Sequence, residues 1–181
     1  MFRPHAFAPR ISAISLDELE QAGIRGLIVD LDDTLVGHRL PHPDDRDSAW
    51  INAAVERGLK VVIVSNNVRA WVESIATPLN VKFVHKALKP FPGGLRRALQ
   101  LLGTDKQSTL VIGDQVFTDF LGARVLGMRA ILTDPLVSRR DFWMRLLRWL
   151  ERRVIRRPRW PLEENHHGKE AEQKDPNAST S

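Results

Sequence analysis

The sequence contains no cysteine. A chain without cysteine cannot form a disulfide, a zinc–thiolate site or a thiol nucleophile. Any metal site or nucleophile must therefore use oxygen or nitrogen atoms. The absence also fits a reducing compartment, and we expect the protein to be cytoplasmic.

Long apolar runs are also missing. No stretch approaches the roughly 18–20 apolar residues that a membrane-spanning helix needs, so we predict no such helix. The opening residues, MFRPHAFAPRISAIS, contain neither a continuous apolar stretch nor a small-residue cleavage site, and we expect no secretory signal. With 181 residues, 43% of them hydrophobic, the chain is long enough for one domain with a sizeable core.

Charge is distributed unevenly along the chain, whose formal net charge is +5. Residues 1–135 contain 16 Lys and Arg against 15 Asp and Glu, whereas residues 136–161 contain nine Arg against two acids. Residues 162–181 are acidic, with two Lys and five acids. A nearly neutral domain with a basic segment favours a polyanionic partner for that segment, which would be an acidic membrane surface, a nucleic acid or an acidic protein.

Five short apolar runs rich in β-branched residues predict β-strands, at 26–29, 60–64, 81–84, 109–112 and 129–132. Helical periodicity between them predicts four helices, at about 43–57, 68–76, 91–102 and 118–126. Strands that alternate with amphipathic helices are typical of a doubly wound parallel sheet with helices on both faces. We therefore predict an α/β domain over residues 1–137 and a disordered polar tail over residues 161–181.

Polar side chains follow the predicted strands at their carboxyl ends, which is where parallel α/β sheets bind ligands. In chain order they are Asp30, Asp32, Thr34, Ser65, Asn66, Lys89, Asp114 and Asp119. A single aspartate or serine at a strand end is more often a turn residue or a helix cap. Four strand ends that carry this set together predict one shared site.

The carboxylates of this set point to a metal-assisted reaction. Clustered carboxylates repel one another unless a cation offsets their charge, and oxygen ligands without cysteine or a well-placed histidine pair indicate Mg²⁺. Asp30, Asp114 and Asp119 fit such a site. In the Asp30-x-Asp32 pair, the first carboxylate can attack phosphorus through an aspartyl-phosphate intermediate while the second transfers a proton.

Two more side chains suit phosphoryl transfer, since Ser65 can donate a hydrogen bond to a phosphoryl oxygen and Lys89 supplies a fixed positive charge. Taken in order, these residues resemble the four motifs of the haloacid dehalogenase (HAD) superfamily. The motifs here are Asp30-Leu31-Asp32-Asp33-Thr34, the strand that ends in Ser65, Lys89, and Gly113-Asp114 followed by Thr118-Asp119. Residues from about 4 to 137 are similar to the YqeG family of HAD subclass IIIA phosphatases, notably in segments 65–69, 87–91 and 113–119.

This resemblance implies roles for individual residues. It makes Asp30 the nucleophile, Asp32 the general acid/base, and Ser65 and Lys89 phosphate ligands. It places Mg²⁺ on Asp30, Asp114 and the backbone carbonyl of Asp32.

Three further residues, Thr34, Asn66 and Arg69, are expected to bind substrate, although Arg69 alternatively reads as an exposed helix arginine. Asp33 departs from the family, where asparagine is common. We expect the Asp33 side chain to face away from the reaction.

Related members of the family remove the terminal phosphate of phosphatidylglycerophosphate, which makes this phospholipid the expected substrate. Gaps of about 25 residues after Leu35 and about 24 after Ser65 leave no room for a large cap domain, so we expect an open site that suits a bulky substrate. The alternatives are a soluble sugar or nucleotide phosphate as substrate, and a non-catalytic HAD scaffold that binds RNA or the ribosome.

Residues 138–157, SRRDFWMRLLRWLERRVIRR, have the clearest helical periodicity in the chain. Aromatic and leucine side chains share one face and arginines the other, a composition typical of a helix that lies in a membrane interface. We predict a basic amphipathic helix over 138–160. This helix is expected to bind the inner face of an anionic membrane. Packing against the core or in a homo-oligomer is the alternative, and nucleic acid is disfavoured because no base-stacking aromatics are evident.

Overall fold

Six parallel strands form the central sheet in the computed structural model of the chain, which describes residues 6–37, 40 and 42–136. The strands are β1 (Ala6–Ala8), β2 (Gly26–Asp30), β3 (Lys60–Val64), β4 (Lys82–Val84), β5 (Thr109–Gly113) and β6 (Arg129–Thr133). Their order across the sheet is β1-β6-β5-β2-β3-β4, and each neighbouring pair is parallel. The predicted parallel α/β sheet is confirmed.

Five α-helices connect the strands. They are α1 (Leu16–Gln21), α2 (Asp45–Glu56), α3 (Arg69–Ala76), α4 (Gly93–Leu102) and α5 (Leu121–Val125). A 3-10 helix (Ile11–Ala13) precedes α1, and a π-helical turn (Val116–Phe120) leads into α5. The first three predicted helices match α2, α3 and α4 to within two residues at each end, whereas the predicted start of the fourth lies inside the π-helical turn.

Two hydrophobic cores lie on opposite faces of the sheet because successive side chains of a strand point to opposite sides. Leu27 and Val29 of β2 pack with Ile51 of α2 on one face, where α3 also lies. Ile28 packs with Leu95 of α4 on the other face, together with α5. Burial on both faces explains why the strands are continuous apolar runs.

β2 lies at the centre of the sheet, between β3 and β5. The chain proceeds outward from β2 through β3 and β4 on one side, and through β5 and β6 on the other. In open α/β sheets, the crevice for ligands lies at such a reversal, outside the carboxyl ends of the strands. The fold therefore places the residues after β2 and β5 side by side.

Two elements, β1 and α1, are not predicted by the sequence. β1 has only three residues, too few for an alternating pattern, and it is stabilised by pairing with β6, where Ala6 lies opposite Ile131. α1 has six residues and begins at Ser15, whose hydroxyl accepts a hydrogen bond of 3.3 Å from the backbone of Glu18. Short elements of this kind depend on distant residues that a local pattern does not reveal.

The segments between the central strands are compact. The described residues between β2 and β3 contain α2 alone, and those between β3 and β4 contain α3 alone, which leaves no large cap domain in this part of the chain. Within residues 6–37, 40 and 42–136, no helix is both long and apolar enough to cross a membrane. The predicted basic helix at 138–160 and the tail at 161–181 lie outside the described residues.

Arg10 connects the segment after β1 to the start of α2. Its guanidinium donates hydrogen bonds of 3.2 and 2.7 Å to the buried carboxylate of Asp47, and it also pairs with Asp44, the N-cap residue of α2. The Asp47 carboxylate accepts a further hydrogen bond of 3.3 Å from the backbone of Ser12. This ion pair fixes the N-terminal segment against the start of α2.

We expect Asp47→Ala to lower the free energy of unfolding by about 2–4 kcal/mol, because it removes a buried charge partner and leaves the Arg10 guanidinium only partly paired. Urea denaturation measures the change. The matched control is Asp17→Ala, which breaks the exposed pair with Arg57 and should leave the free energy of unfolding nearly unchanged. Equal losses in the two variants would show that Asp47 does not stabilise the fold in this way.

Candidate active site

The carboxyl edge of the sheet brings together charged side chains that follow three strands and a serine that follows a fourth. Asp30 is the last residue of β2, Lys89 lies in the loop between β4 and α4, Asp114 follows β5, and Asp119 lies in the π-helical turn. Ser65 follows β3 directly. The sequence predicts this convergence, and the structure places these residues in one crevice.

Lys89 is at the centre of the crevice. Its ammonium lies 2.7 Å from Oδ1 of Asp119, donates to the Asp30 carboxylate, and lies 3.3 Å from the backbone oxygen of Val64. The side chains of Lys89, Asp30 and Asp119 are at most 5% exposed. Burial alone would lower the pKa of Lys89, but Asp119 and Asp30 outweigh it and raise that pKa, so the ammonium stays charged.

The carboxylates of Asp30, Asp114 and Asp119 offer oxygen atoms that all lie within 4.8 Å of one another. Burial raises the pKa of Asp30 well above its usual range, and the charges of Asp119 and Asp114 add to this effect while Lys89 opposes it. Burial, together with the charges of Asp119 and Asp33, raises the pKa of Asp114 to about 7. One ammonium therefore does not offset three carboxylates.

This set of ligands fits a hard divalent cation. Its atoms are all carboxylate oxygens, they converge within one ion's reach, and they carry more negative charge than Lys89 neutralises. Magnesium and similar ions bind such oxygen ligands. The residues that would hold the ion are Asp30, Asp114 and Asp119.

Gly113, the last residue of β5, makes room for Asp119. A Cβ atom at this position would lie 2.5 Å from Cγ of Asp119, much closer than van der Waals contact allows. The glycine therefore lets the Asp119 carboxylate reach Lys89. The Thr118 hydroxyl donates to the other oxygen of Asp119, at 3.2 Å.

Asp32 lies apart from the clustered carboxylates. Its side chain accepts hydrogen bonds from the Ser65 hydroxyl (2.8 Å), the Asn67 amide (3.3 Å) and the Trp71 indole N–H (3.2 Å). The carboxylate is not part of the cluster that could hold a metal, and the metal role expected of the Asp32 backbone carbonyl stays a prediction. Three donors hold its carboxylate in one orientation, a requirement for a group that transfers protons.

The predicted phosphate ligand Ser65 is buried and engaged with Asp32. Its hydroxyl has one hydrogen, which it donates to Asp32, and it accepts a hydrogen bond of 2.9 Å from the backbone of Asn67. It can donate to a phosphate only if this hydrogen turns away from Asp32. The role of Ser65 toward substrate stays a prediction.

Two predicted substrate-binding residues contact residues of the charged cluster, one through side chains and the other through the backbone. Thr34 is buried, and its hydroxyl lies 3.4 Å from Asp30 and 3.3 Å from Asp114, so that it bridges the two carboxylates. The Asn66 side chain accepts a 2.7 Å hydrogen bond from the backbone N–H of Lys89 and donates to its carbonyl at 3.2 Å. Both contacts position the site, and substrate contact by either residue stays a prediction.

Arg69 is exposed at the start of α3. Its guanidinium pairs with Glu73 and lies 5.9 Å from the ring centre of Phe83. These described contacts do not join Arg69 to the carboxylate cluster. Its binding of substrate also stays a prediction.

Asp33 occupies the turn that follows the first motif aspartates. The residue is buried and adopts a left-handed conformation, with φ at 63°, which aspartate and asparagine tolerate better than most residues. Its charge helps to raise the pKa of Asp114. The expectation that the Asp33 side chain faces away from the reaction stays a prediction.

Sequence reasoning also misses Trp71 and Asn67 as partners of Asp32. In the sequence, Trp71 fits the apolar face of α3. A hydrophobic pattern does not show that its indole N–H donates a hydrogen bond. Asn67 follows Ser65 and Asn66 of the predicted motif. That closeness is the only feature of the sequence that suggests a role for Asn67 in the site.

Known proteins resemble this chain in sequence and in fold. The family model described as HAD-hydrolase-like matches residues 87–141. The chain is 37% identical over 154 residues to the probable phosphatase YqeG of Bacillus subtilis (strain 168), a match that covers 85% of this chain and 90% of that protein. It is 26% identical over 80 residues to a glyceraldehyde 3-phosphate phosphatase of Pyrococcus abyssi (strain GE5 / Orsay), which covers 40% of this chain and 34% of that protein.

A solved structure shows the same fold. The 3-deoxy-D-manno-octulosonate 8-phosphate phosphatase of Yersinia pestis superposes with a TM-score of 0.54 at 19% identity, covering 68% of this chain and 71% of that one. Identity at this level establishes the likeness of the folds alone.

The affinity for Mg²⁺ should depend on pH. Below pH 7 a proton on Asp114 competes with the ion, because the pKa of this carboxyl is raised to about 7 in the metal-free protein. We expect the association constant to rise about tenfold per pH unit from about pH 5 to about pH 7 and then to level off. Isothermal titration calorimetry measures it, and Asp114→Asn should make this pH dependence shallower, because only the raised pKa of Asp30 then contributes to it. A constant affinity between pH 5 and 7 would contradict the assignment.

Trp71→Phe should lower kcat about three- to tenfold and leave KM unchanged, because it removes one of the three donors that orient Asp32 and keeps the aromatic ring. Steady-state phosphate release measures both constants. The matched control is Ser74→Ala, an exposed change on the same helix, which should leave kcat unchanged. If Trp71→Phe alters neither constant, the indole does not position Asp32.

Proposed function

Since the chain belongs to the YqeG family of HAD-superfamily phosphatases, we propose that it hydrolyses phosphomonoesters with Mg²⁺ through a phosphoenzyme on Asp30. One observation carries the proposal. The Asp30 carboxylate and the buried Lys89 ammonium form an ion pair inside the carboxylate cluster, while separate donors hold Asp32 two residues further on. The two aspartates are thus prepared for different tasks.

In the first half-reaction, an oxygen of Asp30 attacks the phosphorus atom and the bond from phosphorus to the leaving alcohol oxygen breaks. Asp32 gives a proton to that oxygen, so the product leaves as a neutral alcohol. In the second half-reaction, Asp32 takes a proton from water, and the resulting hydroxide attacks the phosphorus atom. The bond between phosphorus and the Asp30 oxygen breaks, inorganic phosphate leaves, and the Asp30 carboxylate is restored.

The charges around Asp30 support its role as nucleophile. Attack requires the ionised carboxylate, yet burial and the neighbouring carboxylates raise the pKa of Asp30. Lys89 opposes this shift and lies where it can also face phosphoryl oxygens. A bound Mg²⁺, held by Asp30, Asp114, Asp119 and the Asp32 carbonyl, would supply positive charge that offsets both the carboxylates and the phosphate.

We propose phosphatidylglycerophosphate as the substrate. A lipid phosphate can reach only a few ångströms beyond the membrane surface, so it needs an enzyme whose site opens directly at the protein surface. The compact connections between β2, β3 and β4 favour such a site. A cytoplasmic chain attached to the inner face of the membrane through residues 138–157 would lie beside the lipid headgroups, where the phosphate of this lipid is exposed.

Asp30→Asn should reduce phosphate release at least about a thousandfold, since it removes the nucleophile while keeping the shape of the side chain. The assay compares p-nitrophenyl phosphate, a sugar phosphate and phosphatidylglycerophosphate in vesicles, each with Mg²⁺. Asp45→Asn, on the exposed start of α2, is the matched control and should keep full activity.

The assay separates mechanism from substrate. If Asp30→Asn retained more than about a tenth of the activity, a phosphoenzyme on Asp30 would be excluded. If the wild-type chain hydrolysed the soluble esters and left the lipid untouched, the mechanism would stand and the lipid substrate would be wrong.

A further inference from the structure

Exposed apolar side chains lie on the loops at the carboxyl edge of the sheet that carry Lys89 and Ser65. Leu88 and Phe91 are 69% and 71% exposed, more than any other large apolar residue that the structure describes. Both flank Lys89, whose own side chain is buried. Val68, on the loop after β3, is 54% exposed. We call Val68, Leu88 and Phe91 the apolar rim.

Backbone hydrogen bonds join the two loops that carry the rim. The backbone N–H of Lys86 donates to the carbonyl of Asn67, and that of Ala87 to the carbonyl of Ser65, both at 3.0 Å. The Asn66 side chain bonds both backbone groups of Lys89. The loops therefore present one connected surface at the carboxyl edge of the sheet.

The packing of α4 also holds the loop that carries Leu88 and Phe91. Gly94, in the first turn of α4, lies so close to the rim loop that a Cβ there would be 2.6 Å from the Ala87 carbonyl oxygen. The backbone N–H of Phe91 donates to the carbonyl of Leu88 at 2.9 Å. The exposure of these side chains is thus built into the packing of α4 against the loop.

Leu88 is an unfavourable residue for its position on two counts. Its φ of 57° is left-handed, a conformation in which glycine or asparagine costs less than leucine. Its side chain also gains little from burial, since the residue is 69% exposed. A strained backbone at an exposed apolar residue points to a role in function.

The surroundings of the rim are basic. Residues 74–104 contain five Lys and Arg and no Asp or Glu. Of these, Lys86, Arg96 and Arg97 are exposed and form no ion pair with another described residue. Arg97 donates to the carbonyl of Lys86 at 3.1 Å, which places its charge beside the rim.

We infer that the apolar rim seats the protein on an anionic lipid bilayer. Leu88, Phe91 and Val68 enter the boundary between headgroups and acyl chains, while Lys86 and Arg97 face lipid phosphates. The Lys89 crevice then opens onto the headgroup layer. The inference rests on the proposed function, because a membrane contact here serves an enzyme whose substrate is a lipid. It adds a second membrane contact to the one proposed for residues 138–157.

The test compares variants of the full chain in co-sedimentation with vesicles of phosphatidylcholine and phosphatidylglycerol. Leu88→Asn/Phe91→Gln removes the apolar groups, and asparagine suits the left-handed backbone at position 88. The apparent Kd should rise at least about tenfold, because two side chains lose their burial in lipid. Val125→Gln is the matched control: Val125 is 62% exposed at the far end of α5 from the site, and its replacement should leave the Kd unchanged.

Turnover of p-nitrophenyl phosphate, which needs no membrane, should be unchanged in both variants. If the double variant loses this turnover, Lys86→Gln/Arg97→Gln replaces it, and binding should then weaken on anionic vesicles and not on phosphatidylcholine alone. An unchanged Kd in the rim variant, or in the charge variant where it is used, overturns the inference.

Two further measurements separate membrane docking from self-association and from the choice of substrate. If the rim variant binds vesicles normally and instead loses mass in analytical ultracentrifugation, the rim contacts a second copy of the chain and the inference is wrong. If the wild-type chain binds vesicles through the rim but releases no phosphate from phosphatidylglycerophosphate, the proposed substrate fails and the inference stands.

Discussion

A single buried ammonium group controls the electrostatics of this site. Lys89 pairs with both Asp30 and Asp119 at the centre of the crevice, and a third carboxylate, Asp114, lies within reach of the same atoms. Each carboxylate raises the cost of ionising the others, and burial raises it further. Among the described residues, this cluster holds one positive charge against three carboxylates, a balance that fits a bound cation.

The same constraint explains the separation of the two motif aspartates. Asp30 and Asp114 lie in the buried cluster, where burial and neighbouring charges raise the pKa of both carboxyls. Asp32 avoids this environment because Ser65, Asn67 and Trp71 draw its side chain toward β3 and α3. Neighbouring residues in the chain therefore face different surroundings, which gives two chemically identical groups different tasks.

The loop between β4 and α4 connects this chemistry to the protein surface. Lys89 points inward to the carboxylates, whereas Leu88 and Phe91 on either side of it point outward. Asn66 and Gly94 hold the loop from two directions. Because one short segment carries both the buried charge and the exposed apolar groups, a surface that docks here lies directly at the entrance to the site.

The sequence alone determines the parallel sheet and most of its helices, because apolar periodicity is a local property of each segment. It also determines the position of the site, because the carboxyl ends of parallel strands lie at the same edge of the sheet. It brings Asp30, Ser65, Lys89, Asp114 and Asp119 to one crevice without any knowledge of their contacts. Only the tertiary structure decides which atoms meet: that Ser65 and Trp71 serve Asp32, that Asn66 holds the Lys89 backbone, and that Asp33 acts on Asp114. The three-residue strand β1 likewise exists through pairing with β6, more than a hundred residues away. Side-chain direction and short-strand pairing depend on distant neighbours, and no local pattern contains them.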